Sequence, residues 1–212
     1  QPDGGPTHDA PQNGYLNRSR VSLDYIPRDN NHPYRPAIIF RMAEAYLSYA
    51  EALNESSERM SHKQEILDNL NKIRHRAGIA EYGTGTDENG FTRIKINFSD
   101  QKEVRRLIHK ERRVEFVGEG VRYHDLRRWK TAHYGIGNLN EQGENPDWGV
   151  NGPDYGMNYY GTEYTDQGDN AFFKRTKYMD RVYPRKFYWY PIHQSEIDKD
   201  PTLVQGPFWL GE

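Results

Sequence analysis

The 212-residue chain has no cysteine, which removes disulfide frameworks, zinc ribbons and thiol nucleophiles at once. It also has almost no net charge, since 29 Lys and Arg against 31 Asp and Glu leave −2. Nucleic-acid affinity rests on many phosphate contacts, so this balance argues against such a partner. No apolar run approaches the roughly 20 residues that cross a bilayer as a helix. No basic segment followed by an apolar stretch opens the chain, so no signal peptide is expected within it. The opening QPDGGPTHDAPQNGYLN reads as loop from within a protein, with room for a targeting segment upstream. Aliphatic side chains are scarce too. Leu, Ile, Val and Phe make up 39 of the 212 residues, below the roughly 20% under which a chain struggles to bury a core. Disorder also needs a high net charge, which is missing, and 16 Tyr and 4 Trp supply bulk instead. The composition describes a folded, loop-rich protein built with tyrosine, or part of a larger fold whose apolar partners lie elsewhere.

Four segments follow from composition and periodicity. Residues 1–35 are rich in Pro, Gly, Asn and Asp and read as a loop-rich lead-in. Residues 36–132 read as a helical core. Pro36 suits a first helical turn, and Ile39, Met42, Ala43, Tyr46, Leu47, Ala50 and Leu53 form one stripe at 3–4 spacing. A second helix is expected from Ser61, with Gln64 completing a capping box. It carries Ile66, Leu67, Leu70, Ile73 and Ala77, and Gly78 ends it. The two make a hairpin of about tetratricopeptide size. Within residues 79–99, FTRIKINF alternates like a short strand. Asp100 with Glu103 caps a third helix bearing Val104, Leu107, Ile108, Val114 and Val117. After Gly118 and Gly120 comes a short fourth helix with Val121, Leu126 and Trp129. Residues 133–181 are dominated by Gly, Asn, Asp and Tyr without clear secondary structure, and so long a loop is more often functional than idle. Residues 182–212 read as a short aromatic strand, a Pro-started turn of helix and a tail that packs on the core.

Few residues suggest chemistry. Glu111 and Glu115 are four apart and share a helix face, a spacing that mimics a pair of catalytic carboxylates. The cluster around them, Arg112, Arg113, Glu119, Arg122, Asp125, Arg127 and Arg128, favours a structural reading in which each carboxylate meets an arginine. Such neighbours also push a carboxyl pKa down, away from that of a general acid. The eight histidines are scattered. His193 with Glu196 is the only close His–acid spacing, and one such pair does not make a metal site. Asp87-Glu88-Asn89-Gly90 and the stretch from Asp147 to Asp154 resemble fragments of calcium loops, but both lack the alternating ligands and the closing Glu, and turn chemistry accounts for them. No metal or cofactor is expected. The tyrosine-rich stretch remains: Tyr134, Trp148, Tyr155, Tyr159, Tyr160, Tyr164 and Tyr178, interleaved with Asn145, Asp147, Asn151, Asp154, Asn158 and Asp166. Aromatic faces beside hydrogen-bonding edges suit a sugar, and they serve a peptide equally well. The bland alternative is that these rings pack the loop in place of aliphatic side chains.

Three blocks in series resemble the SusD/RagB family of outer-membrane nutrient-binding lipoproteins. The first runs from Arg41 through Glu44, Tyr46, Tyr49 and Glu51, followed by Asn71, Arg74, Arg76 and Gly78. The second is Ile108-His-Lys-Glu111-Arg112-Arg-Val-Glu115-Phe-Val-Gly-Glu119-Gly120-Val-Arg122-Tyr-His-Asp125-Leu-Arg127-Arg128-Trp129. The third is Tyr190-Pro191-Ile192, Glu196-Ile197 and Pro201 to Gln205. Their order is similar to the C-terminal half of that family across residues 36–209.

The resemblance implies a mainly α fold, with tetratricopeptide-like helical hairpins packed with a large irregular loop-rich region, and no enzymatic activity. It implies a lipid-anchored, surface-exposed protein of the cell outer membrane that captures oligosaccharide or peptide for a SusC-like TonB-dependent transporter. It also marks departures. The N-terminal half, with the lipidated cysteine and further helices, is absent from this chain, and it is an expected partner of this half. The family's ligand-contacting aromatics lie mostly upstream of the first block. His193 stands where the family usually has a second Pro or a similar residue after Pro-Ile. The motif residues Arg41, Glu44, Glu51, Arg74, Arg76, Glu111, Arg112, Glu115, Glu119, Arg122, Asp125, Arg127, Arg128 and Trp129 then read as a structural signature. Ligand contacts are expected from Trp148, Tyr155, Tyr159, Tyr160, Asn151 and Asp154. Two rival readings are a docking scaffold for the transporter and, more remotely, a glycoside hydrolase using Glu111 and Glu115.

Overall fold

In the computed structural model, which describes residues 34, 38–135, 149–158 and 160–210, helix α1 (Met42–Glu55) begins as the chain leaves an extended conformation at Arg41. The start expected at Pro36 is too early, although Pro36 itself lies outside the described residues. Residues 38–40 are not helical, and Ile39 is 96% exposed rather than part of the stripe. Met42 is exposed as well, so the buried face is narrower than the sequence suggests: Ala43, Leu47, Ala50 and Leu53.

Helix α2 (Lys63–Arg76) buries Ile66, Leu70 and Ile73 against α1, with Leu67 at the margin. Ser61 does not cap it. Its backbone N–H and its hydroxyl both donate to the Glu58 carbonyl, which draws Ser61 into the preceding turn. Gln64 donates to Asp68 along the helix instead. The other end matches expectation. Gly78 has φ +66°, the Ile79 N–H reaches the Arg74 carbonyl at 3.2 Å and the Gly78 N–H reaches His75 at 3.0 Å. This is a complete Schellman closure, which needs a left-handed residue at the glycine position.

Helix α3 (Gln101–Glu115) is capped by the Asp100 carboxylate, which accepts from the N–H groups of Lys102 and Glu103. Val104 and Ile108 are buried on it, but Val114 and Val117 are exposed and Phe116 takes the core position. Extending the face of Val104 and Ile108 by one turn reaches Glu111 and Arg112 rather than Val114. Val117 lies beyond the last helical residue, where the period no longer applies. The shared core unites α1, α2 and α3 with Tyr82 and Phe116. Each fully buried Leu or Ile contributes roughly 1.5–3 kcal/mol. Residues 91–98 form no strand; isolated bridges pair Tyr82 with Ile94 and Thr86 with Thr92.

The described residues up to Tyr123 form one unit and those from His124 form another, and the division falls inside helix α4 (Val121–Arg128). After α4 the Thr131 N–H bonds the Leu126 carbonyl and the Lys130 N–H bonds Arg127. Lys130 has φ +58° here, so a lysine occupies the position that normally favours glycine. Its ammonium lies over the rings of Tyr188 and Trp189, at 4.9 and 4.7 Å from their centroids.

The stretch expected to lack secondary structure contains a two-stranded antiparallel ribbon, β1 (Gly152–Met157) and β2 (Arg175–Arg181). Its register is interrupted between Asp154 and Tyr155, so Tyr178 is left without a partner in the ladder. The expected aromatic strand near the C-terminus is instead a 3-10 turn over Arg185–Tyr188. Helix α5 (Gln194–Lys199) follows, with the His193 ring accepting from the Ser195 N–H. Among the described residues the secondary structure is mostly helical, with the ribbon as the only sheet.

Candidate ligand-binding surface

In the charged run of the second block, Glu111, Glu115 and Glu119 each pair with an arginine of the first block. Arg41 forks onto Glu119 at 2.8 and 2.7 Å and also binds the Glu115 carboxylate and its backbone carbonyl. Arg76 donates to both oxygens of Glu115 at 2.6 Å. Arg74 donates to Glu111 Oε1 at 2.6 Å, and the Tyr82 hydroxyl donates to the same oxygen at 2.8 Å. Burial and the Glu111 charge push the Tyr82 pKa up. Arg112 is buried, donates to Ser48 and lies 3.8 Å from Glu51. Glu44 sits half-buried in the first turn of α1, where the helix dipole favours a carboxylate. In the other unit, Asp125 is buried against Arg128, whose guanidinium lies over Trp129, and Arg127 donates to the Phe187 carbonyl. Arg122 is half-buried. Glu111 and Glu115 therefore each face arginines.

Of the six residues expected to contact ligand, Trp148 and Tyr159 lie outside the described residues. The other four are on or beside the ribbon. The Asn151 side-chain amide donates to the carbonyls of His133 at 2.6 Å and Tyr183 at 3.3 Å, and its oxygen accepts from the Tyr183 N–H. That amide is fully engaged in tying three chain segments together. Asp154 accepts from the Tyr178 hydroxyl at 2.9 Å and lies 3.7 Å from Arg181. The hydrogen bond to Asp154 holds the Tyr178 pKa above its ordinary value. Tyr155 is exposed and stacks beneath Arg175, whose guanidinium carbon is 4.0 Å from the ring centroid. Tyr160 is 79% exposed, and beyond it Tyr164 and Phe173 add exposed rings in contact with Phe172. Open aromatic faces are thus present on this unit, while the two polar side chains organise its loops.

The other unit carries a groove that periodicity does not reveal. It has a volume of about 730 Å³ between the outer face of α2 and residues 81–98. Leu67, Ile96 and Phe98 line it, together with polar side chains bound to one another: Glu81 meets His75 at 3.2 Å and Arg93 at 2.8 Å. Asn71 exchanges two hydrogen bonds with the Tyr82 backbone and so pins the loop to the helix. Asp87, read from sequence as a calcium-loop fragment or turn residue, accepts from the N–H groups of Asn89, Phe91 and Glu81. Its carboxylate shapes the turn. The sequence signal for the groove is limited to Leu67, an aliphatic residue at the margin of the face that buries Ile66, Leu70 and Ile73.

The family model of the SusD family matches residues 2–209, and the chain belongs to that family. Two curated relatives from Formosa agariphila, SusD-like proteins P25 and P38, are each 32% identical over 109 and 103 residues. Those stretches are 51% and 49% of this chain and 18% and 19% of the relatives. Among solved structures, BT4246 is 29% identical with a TM-score of 0.52 and covers 82% of this chain and 24% of its own. A SusD-like protein from Bacteroides fragilis, BF3747, is 26% identical with a TM-score of 0.51, covering 81% and 26%. The mainly helical architecture is therefore that of SusD-like proteins, and the chain spans under a fifth of the curated relatives it matches and about a quarter of the solved ones.

Proposed function

We propose that this chain is part of a non-catalytic binding protein of the cell outer membrane, which captures oligosaccharide, or peptide, at the surface and delivers it to a SusC-like TonB-dependent transporter. Membership of the SusD family carries this reading. In the chain itself, the exposed rings of Tyr155, Tyr160, Tyr164 and Phe173 offer flat apolar faces of the kind that meets the C–H face of a sugar. The lipid anchor belongs to a segment upstream of these residues. The ion-paired state of Glu111 and Glu115 supports binding over hydrolysis.

Affinity electrophoresis of the whole protein against a glycan panel tests the reading. Retardation by at least one glycan, weakened by Tyr155→Ala and Tyr160→Ala, is expected. Passage unretarded by every glycan, together with no calorimetric signal from peptide mixtures, would remove it. A second reading, a docking surface for the transporter, is favoured by the exposed run Ile38, Ile39, Phe40 and Met42 and by the exposed Val114 and Val117. Charged substitutions there that break a transporter complex while leaving glycan retardation unchanged would support it.

A further inference from the structure

The β1–β2 register decides which side chains share a face. Tyr155 pairs with Lys177 and Met157 with Arg175, so these four residues project from one side of the ribbon. Tyr155 and Arg175 are diagonal neighbours, a separation that long side chains can span, and this accounts for the 4.0 Å stacking. The face holds an aromatic ring, two cations and Asp180, which the register sets opposite Pro153 and which neutralises Lys177 rather than Arg175.

The ribbon's cations differ in one respect. Lys174 meets Asp169 at 3.1 Å, Lys177 meets Asp180 at 2.7 Å and Arg181 lies 3.7 Å from Asp154. Arg175 is exposed and, among the described residues, pairs with no carboxylate; its partner is the Tyr155 ring. Contact with the ring restricts the guanidinium, and among the described residues no carboxylate takes up its N–H groups. A guanidinium held this way is pre-organised for a two-pronged contact with a planar or tetrahedral oxyanion, because little rotamer freedom is left to lose. One face of Tyr155 is covered by that cation, so a sugar reaching the pair meets a charged platform rather than a bare ring.

We infer that this face selects anionic sugars: Arg175 binds a carboxylate or sulfate ester of a bound glycan, with Tyr155 as its support and Lys177 beside it. The inference rests on the glycan-binding reading above and narrows its ligand class. The carboxylate arm compares oligogalacturonate with its methyl ester, which keeps the ring and removes the charge. The sulfate arm compares a sulfated galactan with its desulfated form. Calorimetry on the whole protein at low and raised salt should give about tenfold tighter binding of the charged member in at least one arm. Raised salt should shrink that preference, since exposed charges are screened. Arg175→Gln should abolish the preference, leaving charged and neutral members bound equally. Arg175→Lys should keep only part of it, because the charge remains and the fork is lost. Equal affinity for charged and neutral members in both arms, or a preference unmoved by Arg175→Gln in a variant with unchanged circular dichroism, overturns the inference and leaves glycan capture standing. Failure to bind any glycan, charged or neutral, overturns both.

Discussion

Replacing Arg74 by Met tests whether the family's charged residues act as structure. Arg74 and Glu111 are both buried, 8% and 5% exposed, and the Glu111 carboxylate takes its two bonds from Arg74 and Tyr82. Arg74→Met leaves a buried anion with one neutral donor. Removing one member of such a pair costs roughly 3–5 kcal/mol, a large part of the roughly 5–15 kcal/mol that holds a domain folded. Adding Glu111→Leu removes the stranded charge, and apolar replacement of a whole buried pair is often neutral or better. The double variant should therefore recover most of the loss, leaving about 1–2 kcal/mol for the orphaned Tyr82 hydroxyl. Urea unfolding of the wild type, both single variants and the double variant gives the coupling as a cycle. The expected pattern is a low midpoint in Arg74→Met and a near-normal one in the double variant, with the slope unchanged. A single-variant loss below about 1 kcal/mol, far under the usual cost of a stranded buried charge, would refute the structural assignment. So would a double variant as unstable as Arg74→Met.

Three further outcomes are expected. Leu47→Ala or Leu70→Ala, both at fully buried positions, should each lower stability by roughly 2–5 kcal/mol in the same urea assay. Gly161→Ala should unfold the loop between β1 and β2, because an added Cβ would come within 2.5 Å of the Phe172 backbone; loss of the near-ultraviolet aromatic signal reports it. Burial and the nearby Arg185 charge hold the His133 pKa below its ordinary value, so the folded protein binds this proton less readily than the unfolded chain. Stability from this group is therefore present above about pH 6.5 and falls as pH drops below it. Thermal melts from pH 8 to pH 5 should show that slope, and His133→Gln should flatten it.

The helical unit was largely legible because its signals are local. The stripe from Ala43 to Leu53, the run Ile66–Leu70–Ile73, the glycine that closes α2 and the aspartate that opens α3 each act within a turn or two of chain. The ribbon was not legible. β1, with two glycines and a proline in six residues, has poor strand propensity, and β2 is exposed along nearly its whole length, so neither strand alternates between a dry face and a wet one. Their pairing arises from each other. The same holds for the polar residues expected to meet ligand. Asn151 and Asp154 have the right chemistry, but their partners, Tyr183 and Tyr178, are 32 and 24 residues away, and no spacing rule anticipates them. Arg175 gave no signal at all, since its distinction depends on which side of the ribbon the register places it.

The shortage of aliphatic residues and the density of charge are two aspects of one arrangement. Helix α3 offers Val104 and Ile108 to the core and then, on the same face, Glu111 and Arg112. Carboxylates recur every fourth residue, at Glu111, Glu115 and Glu119, the last just beyond the helix. They are met in order by Arg74, by Arg76 with Arg41, and by Arg41 alone. An apolar face of this length would tolerate α3 sliding by a turn against its neighbours, because one aliphatic contact replaces another. Three spaced carboxylates meeting three arginines do not, since any slip would strand a half-buried charge. Ion pairs thus fix the register that a larger hydrophobic core would leave loose, and they let a chain with few aliphatic side chains hold one arrangement of its helices.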